Sequence, residues 1–114
     1  RGFLFASALA DRLECGLIPV RKAGKLPGDV LVKKYDLEYG SAQLEIKKDS
    51  VPAGARVLIV DDVLATGGTA VCAANLFHEI DAQIVGFAFL ASLSSLKGEE
   101  KLHSYRTVSL VRYE

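Results

Sequence analysis

The segment VLIVDDVLATGGTA, residues 57–70, joins an apolar run to two acids and a pair of glycines. Its first part, preceded by Arg56, is apolar and rich in β-branched residues, which is typical of a strand buried on both faces of a parallel sheet. The run is predicted to end at Asp61-Asp62, and small residues then lead into a helix expected from about Thr69 to Ile80. Because ligands of open α/β sheets bind beyond the carboxyl ends of such strands, the segment also predicts a binding site.

Strand-like and helix-like patterns alternate on both sides of this segment. Phe3–Leu13 has the spacing of an amphipathic helix, while Leu17–Val20, Gln83–Leu90 and Thr107–Val111 are predicted to be short buried strands. Such alternation favours the α/β class, with a twisted parallel sheet flanked by helices. We expect a single domain over residues 1–114.

The least regular part of the chain lies between residues 22 and 48. The segment KAGKLPGD, residues 22–29, contains two glycines, a proline and two lysines, which is typical of a loop. Leu31–Glu38 and Ala42–Lys48 then alternate like two extended arms joined around Tyr39-Gly40-Ser41. We expect a hairpin flap at the carboxyl edge of the sheet.

Composition argues against several classes of function. Lys and Arg total 14, as do Asp and Glu, so the net charge is zero and no electrostatic attraction of the whole domain to nucleic acid or membrane is expected. No apolar run approaches the roughly 20 residues that span a bilayer. The two cysteines, Cys15 and Cys72, are predicted to be reduced and buried, and the two histidines, His78 and His103, to lie at the surface. We expect a cytoplasmic protein.

Asp61 and Asp62 precede a loop that favours the opposite kind of ligand group. Backbone N–H groups of the small residues Ala65-Thr66-Gly67-Gly68-Thr69 can approach a ligand closely, at a helix start whose dipole attracts an anion. The two threonine hydroxyls can bind the same anion. Carboxylates prefer hydroxyl groups or a hydrated cation, so the pattern fits a sugar phosphate. The P-loop and GxGxxG patterns are both absent.

Residues 57–69 resemble the motif with which type I phosphoribosyltransferases hold 5-phosphoribosyl-1-pyrophosphate. Five other segments resemble the adenine-specific branch of that family, in the family's order: RGFLF (1–5), PVRKAGKLPG (19–28), LEYG (37–40), SLKG (95–98) with EKL (100–102), and SLVRYE (109–114). The family's N-terminal segment has no counterpart, the chain has no Met, and it opens at Arg1. We therefore expect the core domain of such an enzyme in N-terminally truncated form.

The resemblance implies transfer of a phosphoribosyl group to adenine, forming AMP and pyrophosphate in purine salvage. It implies that Asp61 and Asp62 contact the ribose hydroxyls and that Ala65–Thr69 holds the 5′-phosphate. It also implies Mg²⁺ carried mainly by oxygens of the substrate, so no direct protein ligand is predicted. A homodimer is the family's usual assembly and is expected here.

Four basic residues are predicted on the pyrophosphate side of the site. Arg21, Lys22 and Lys25 directly follow the predicted strand Leu17–Val20, which would place them at the ligand-binding edge. The alternative for this cluster is a solvated loop. Arg1 resembles the family arginine that reaches the pyrophosphate.

Three further residues are predicted to serve the base and the lid. The resemblance implies that Glu38 and Tyr39 belong to a lid that closes over the substrate, and Glu38 is the candidate catalytic residue, which would handle the proton leaving N9 of adenine. A surface glutamate in a hairpin is the alternative. Leu93 resembles the apolar residue that packs on the purine. Because a lid must move, Leu31–Lys48 is expected to make few core contacts.

Two other functions stay open at this point. One is phosphoribosyl transfer to another base, such as xanthine or orotate. The other is a regulator that binds 5-phosphoribosyl-1-pyrophosphate without turnover. Such a regulator would be expected to lack an acid in the lid and to carry a DNA-binding domain.

Overall fold

The computed structural model describes residues 1–37 and 39–114. The elements in chain order are α1 (Gly2–Leu13), β1 (Arg21–Lys22), β2 (Val30–Leu37), β3 (Gly40–Lys47), β4 (Arg56–Leu64), α2 (Gly68–Glu79), β5 (Gln83–Leu93), α3 (Gly98–Lys101) and β6 (Thr107–Tyr113), with a 3₁₀ turn at Ser94–Leu96. Across these two ranges, none of the helices combines the length and the apolar character that crossing a membrane requires.

β4, β5 and β6 form a parallel sheet with β5 in the middle. Asp61 of β4 pairs with Phe89 of β5, and Phe89 pairs in turn with Ser109 of β6. The parallel pair β4 and β5 is joined through α2, as a βαβ unit requires. The predicted α/β class with its parallel sheet is confirmed.

Helix α2 contributes the largest share of the core. Its buried side chains include Ala73, Leu76 and Phe77, and Ile80 just beyond its end packs against them, so these residues form one apolar face of the predicted helix. One face of the core joins α2 to the hairpin β2–β3, and the other joins it to β4 and β5. This arrangement fixes the start of α2 between the two sheets.

A second sheet is antiparallel, in the order β1-β3-β2. The predicted hairpin is present, but Leu37 pairs with Gly40, so Gly40 and Ser41 belong to β3 and not to the turn. The expectation of few core contacts is wrong at its base, since Leu44 and Ile46 are buried against α2. Apolar alternation on β3 gives the hairpin a core-facing side, which a freely moving flap would lack.

The predicted strand at Leu17–Val20 is wrong. These residues form no strand, and the pairing begins at Arg21, which lies opposite Glu45 of β3. Pro19 has no N–H to donate, which disfavours a ladder through this segment. Arg21 and Lys22 therefore lie on the antiparallel sheet and Lys25 in the loop after β1, and not at the carboxyl end of a parallel strand.

Two details of β4 also differ from expectation. The strand does not end at Asp61-Asp62 but continues to Leu64, because backbone pairing with β5 persists after the apolar side chains stop. Nor is it buried on both faces of the described chain, since Leu58 is 39% exposed. Cys72 is buried as predicted, but Cys15 is exposed, because it lies beyond the end of α1. Both histidines lie at the surface, as expected.

Candidate functional site

The two acids near the end of β4 are half-buried and held by neighbouring backbone groups. The N–H of Asp62 donates to Oδ1 of Asp61 at 2.9 Å, and the N–H of Val63 donates to Oδ1 of Asp62 at 2.8 Å. Nε of Arg1 lies 2.9 Å from the other oxygen, Oδ2, of Asp62. These contacts fix the orientation of both carboxylates before any ligand arrives.

The pKa values of the two carboxyl groups shift in opposite directions. Burial raises the pKa of Asp61 above its usual value. Burial acts on Asp62 in the same direction, but the hydrogen bond from Val63 and the charge of Arg1 outweigh it and lower the pKa of Asp62. Asp62 therefore holds the negative charge more firmly than Asp61 does.

Gly2, which sequence reasoning did not single out, lies directly against Asp61. A Cβ atom at this position would stand 2.9 Å from Oδ1 of Asp61 and 3.1 Å from the carbonyl oxygen of Val60. Gly2 is the first residue of α1 and lies just before the predicted helix Phe3–Leu13, so no local pattern in the sequence signals this close approach.

The loop after β4 leads directly into α2, as predicted. Gly67 is its N-cap, with φ of 88°, a conformation that favours glycine. The first N–H groups of any helix lack partners within it, so those of Gly68 and Thr69 face outward from the helix end. Thr66 and Thr69 are exposed, and the Thr69 hydroxyl donates to the Tyr35 hydroxyl at 3.2 Å. This end of α2 can accept an anion.

The first residue of α3 packs against this loop. A Cβ atom on Gly67 would lie 2.9 Å from the carbonyl oxygen of Gly98, and one on Gly98 would clash with the carbonyl oxygen of Ala65. Gly98 is buried at this contact. The two glycines allow the backbones to touch, which holds residues 65–67 in place.

Several predicted residues are brought together around one cavity of about 500 Å³ between α1, β4 and α2. Arg1, Asp61 and Thr69 all line it. Arg21 is connected to this group through Phe3, because its guanidinium carbon lies 5.7 Å from the centre of the Phe3 ring. The site thus combines carboxylates, a helix N-terminus and two arginines.

Other predicted residues lie elsewhere or cannot be placed. Lys22 and Lys25 are exposed, on β1 and in the loop after it, and Tyr39 is 90% exposed at the tip of the hairpin. Leu93 is half-buried and lines a separate cavity of about 210 Å³. Glu38, the candidate catalytic residue, lies outside the described residues.

An acid that the sequence analysis missed supports the loop after β1. Glu45 is only 2% exposed, and its carboxylate accepts N–H groups from Gly24, Lys25 and Leu26 at 3.0, 3.0 and 2.7 Å. The alternation Leu44-Glu45-Ile46 looks like an ordinary strand with one solvent-facing acid. Only the fold of the loop over the sheet reveals that this acid is buried.

The acid pair is a feature of the site that could contact a metal ion. In residues 1–37 and 39–114, no three or more His, Cys, Asp or Glu side chains cluster closely enough to hold a metal ion. Asp61 and Asp62 offer hard oxygen donors, which suit Mg²⁺, but two such groups do not form a complete coordination shell. They fit an ion that arrives with most of its ligands already in place.

A family model for the phosphoribosyl transferase domain matches residues 1–112. The chain belongs to the phosphoribosyltransferase family. The match includes the acid pair, the loop after it and the basic cluster, so the predicted family resemblance is confirmed. The sequence also resembles members of this family that are named for adenine.

This phosphoribosyltransferase chain is 51% identical over 114 residues to the adenine phosphoribosyltransferase of Clostridium botulinum (strain Eklund 17B), covering 100% of this chain and 66% of the relative. Its fold matches the crystal structure of adenine phosphoribosyltransferase from Thermoanaerobacter pseudethanolicus with a TM-score of 0.96 at 49% identity, covering 99% of this chain and 66% of that one. The Saccharomyces cerevisiae enzyme, in complex with an imino-altritol bisphosphate and adenine, matches with a TM-score of 0.92 at 46% identity, over 96% and 62% of the two chains. The phosphoribosyltransferase chain thus spans just under two thirds of the length of these relatives.

Proposed function

We propose that the protein transfers the phosphoribosyl group of 5-phosphoribosyl-1-pyrophosphate to adenine, forming AMP and pyrophosphate in purine salvage. The observation that carries the proposal is that Asp61, near the end of β4, and Thr69, in the first turn of α2, line one cavity, with Asp62 next to Asp61 in the chain. The relatives named for adenine support the choice of base, and one of them was crystallised with adenine and a bisphosphate.

The ribose phosphate would be held by the acid pair and the loop that follows it. Asp61 and Asp62 would accept hydrogen bonds from the 2′ and 3′ hydroxyls, and the backbone N–H bonds to their Oδ1 atoms would limit the movement of both carboxylates. Backbone N–H groups of Ala65–Thr69, with the hydroxyls of Thr66 and Thr69, would hold the 5′-phosphate at the positive end of the α2 dipole. One substrate would then occupy both parts of the site.

The pyrophosphate would meet the basic residues. Arg1 lines the cavity and pairs with Asp62, and Arg21 lies against the ring of Phe3, which also lines the cavity. Lys22 and Lys25 would approach from β1 and the loop that follows it. Mg²⁺, carried mainly by pyrophosphate and ribose oxygens, would neutralise negative charge on the leaving group. The residues of the chain would position the substrate and stabilise that same charge.

The chemical step exchanges one bond at C1′ for another. The bond from C1′ to the pyrophosphate oxygen breaks, N9 of adenine forms the new bond, and N9 loses its proton. Glu38 would accept this proton, with Tyr39 closing over the site and Leu93 packing on the purine. The exposed hairpin tip is suited to such a closure, whereas its buried base is suited to act as the fixed end.

We also propose that the protein is a cytoplasmic homodimer that binds neither nucleic acid nor membranes. The balanced charge of the chain supports the absence of such anionic partners. Exposed apolar side chains such as Leu4 on α1 and Leu110 on β6 support a further protein contact. Sedimentation of the purified protein at several concentrations tests the dimer.

One steady-state assay tests the activity. The protein is incubated with 5-phosphoribosyl-1-pyrophosphate and, separately, adenine, hypoxanthine, xanthine or orotate, and the nucleotide formed is measured. Formation of AMP, with a kcat/KM for adenine well above that for the other bases, is expected. Preference for another base would overturn the specificity. Binding of 5-phosphoribosyl-1-pyrophosphate without turnover of any base would indicate a regulator.

A further inference from the structure

Glu45 occupies an unusual place for an acid. It lies on the central strand of the antiparallel sheet, between Arg21 of β1 and Val32 of β2. Its neighbours Leu44 and Ile46 face the core, so its own side chain projects from the opposite face. That face would be open to water if the loop after β1 did not fold across it.

The loop closes over this carboxylate with its backbone. Oε2 accepts the N–H of Gly24, and Oε1 accepts the N–H groups of Lys25 and Leu26. Gly24 adopts φ of +87°, which lets consecutive N–H groups converge on one anion. The N–H of Ala23 donates to the carbonyl of Gln43, which anchors the same turn to β3.

The backbone N–H groups of residues 24–26 are therefore already bound to an anion of the protein itself, the carboxylate of Glu45. An arriving pyrophosphate therefore cannot use these three N–H groups without displacing the carboxylate of Glu45. Lys22 and Lys25 are exposed on this loop, and Arg21 lies at its base. Their positions depend on the backbone conformation that Glu45 holds.

We propose that Glu45 is a positioning residue, whose buried carboxylate holds the 23–26 loop in the conformation that presents Arg21, Lys22 and Lys25 to pyrophosphate. The inference rests on the proposed function for the identity of the anion. A loop that is already ordered loses less conformational entropy when it binds, so its affinity for the anion is higher. Glu45 acts without touching the substrate.

The substitution Glu45→Gln tests this assignment. An amide keeps the size of the side chain, but its NH₂ group would face one of the three N–H donors, so the loop loses at least one bond. The matched control is Glu79→Gln, which removes one negative charge from an exposed residue that pairs with Lys33. Calorimetry with inorganic pyrophosphate and steady-state kinetics are applied to both variants and to the unchanged protein.

For Glu45→Gln we expect the Kd for pyrophosphate and the KM for 5-phosphoribosyl-1-pyrophosphate to rise by about tenfold or more, with the KM for adenine unchanged. The Glu79→Gln control should match the unchanged protein. Unaltered pyrophosphate affinity in a folded Glu45→Gln protein would overturn the proposal. Equal losses for pyrophosphate and adenine, together with a lower Tm, would also overturn it, since they mark a purely structural role.

A measurement on the unchanged protein covers the case in which Glu45→Gln does not fold. Amide hydrogen exchange should show protection of Gly24, Lys25 and Leu26 that weakens selectively as the pH falls below the ordinary value of 4.5 for a glutamate. Unprotected amides at neutral pH would overturn the proposal. Failure of the proposed function is distinguishable, because it appears as absence of AMP formation by the unchanged protein, whereas pyrophosphate binding requires no turnover.

Discussion

Gly2 and Asp61 are in direct contact, with no room between them for a side chain. A Cβ atom on Gly2 would stand 3.0 Å from Cα of Asp61 as well as 2.9 Å from its carboxylate oxygen. The obstacle is partly backbone, so rotation of the Asp61 side chain alone would not relieve it. The first turn of α1 therefore sets the position of one of the two acids.

We expect Gly2→Ala to lower kcat/KM by about tenfold or more, because either α1 or the end of β4 must shift by several tenths of an ångström. Gly16→Ala is the matched control, since nothing lies within 4 Å of a Cβ atom there. The rates of both variants are measured with adenine and 5-phosphoribosyl-1-pyrophosphate. Equal activity in the two variants would mean that the contact can yield without moving the acid.

Charge at the acid pair is tested by Asp61→Asn and Asp62→Asn. Asparagine keeps the size but weakens the hold on ribose hydroxyls and on hydrated Mg²⁺, so kcat/KM should fall at least about 10-fold, or about 1.4 kcal/mol of transition-state stabilisation. Asp62→Asn also removes the partner of Arg1. Unchanged efficiency in both variants would leave the pair with a structural role only.

Proton transfer is tested by Glu38→Gln. If Glu38 accepts the N9 proton, kcat should fall by about 10²–10⁴-fold, which is the typical contribution of a positioned acid or base, with a much smaller change in the affinity for 5-phosphoribosyl-1-pyrophosphate. Tyr39→Phe serves as a neighbouring change that removes no acid. A normal kcat in the Glu38→Gln enzyme would assign the proton to water or to another residue.

The pH dependence of stability provides a test of Glu45 that requires no substrate. The N–H groups of Gly24, then Leu26 and Lys25, lower its pKa below the ordinary 4.5. A carboxyl with a lowered folded pKa stabilises the protein fully above its unfolded pKa, and this contribution is lost as the pH falls through the folded pKa. Urea unfolding from about pH 7 to about pH 3 should therefore show a steeper loss below pH 4.5 in the unchanged protein than in Glu45→Gln.

The titration of Asp61 changes stability with pH in the opposite direction to that of Glu45, so the unchanged protein has to be compared with Glu45→Gln. Its pKa is raised from 3.8, so its ionisation on going to higher pH costs stability. Asp61 is present in both proteins and cancels when the two curves are subtracted. Parallel curves for the unchanged protein and Glu45→Gln would contradict the structural assignment.

The parts of the fold that could be predicted from the sequence are those set by local patterns. β4, the glycine turn and α2 follow from an apolar run, small residues and a helical stripe, each of which acts within a few residues. The strand at Leu17–Val20 failed because four apolar residues carry little periodic information and Pro19 interrupts the ladder. The end of β4 was placed too early because side-chain polarity does not stop backbone pairing with β5.

The parts of the site that could not be predicted depend on distant residues. Glu45 is buried only because a loop some 20 positions earlier folds over it, and no pattern on β3 records that contact. The close approach of Gly2 to Asp61 likewise joins two residues that are far apart in the sequence and share no local signal. The role of Leu93 rests on family resemblance, and it remains a prediction.

The back-to-back contact of Gly67 and Gly98 has a consequence for protein engineering. Because no glycine side chain lies between the two backbones, a displacement of one of them cannot be accommodated by a change of side-chain rotamer at this contact. A movement of residues 94–98 is therefore passed on to residues 65–67. On the proposed roles of Leu93 and residues 65–69, libraries that vary the neighbourhood of Leu93 to accept a different base would also change the binding of phosphate, so selection for a new specificity would have to be carried out at limiting 5-phosphoribosyl-1-pyrophosphate.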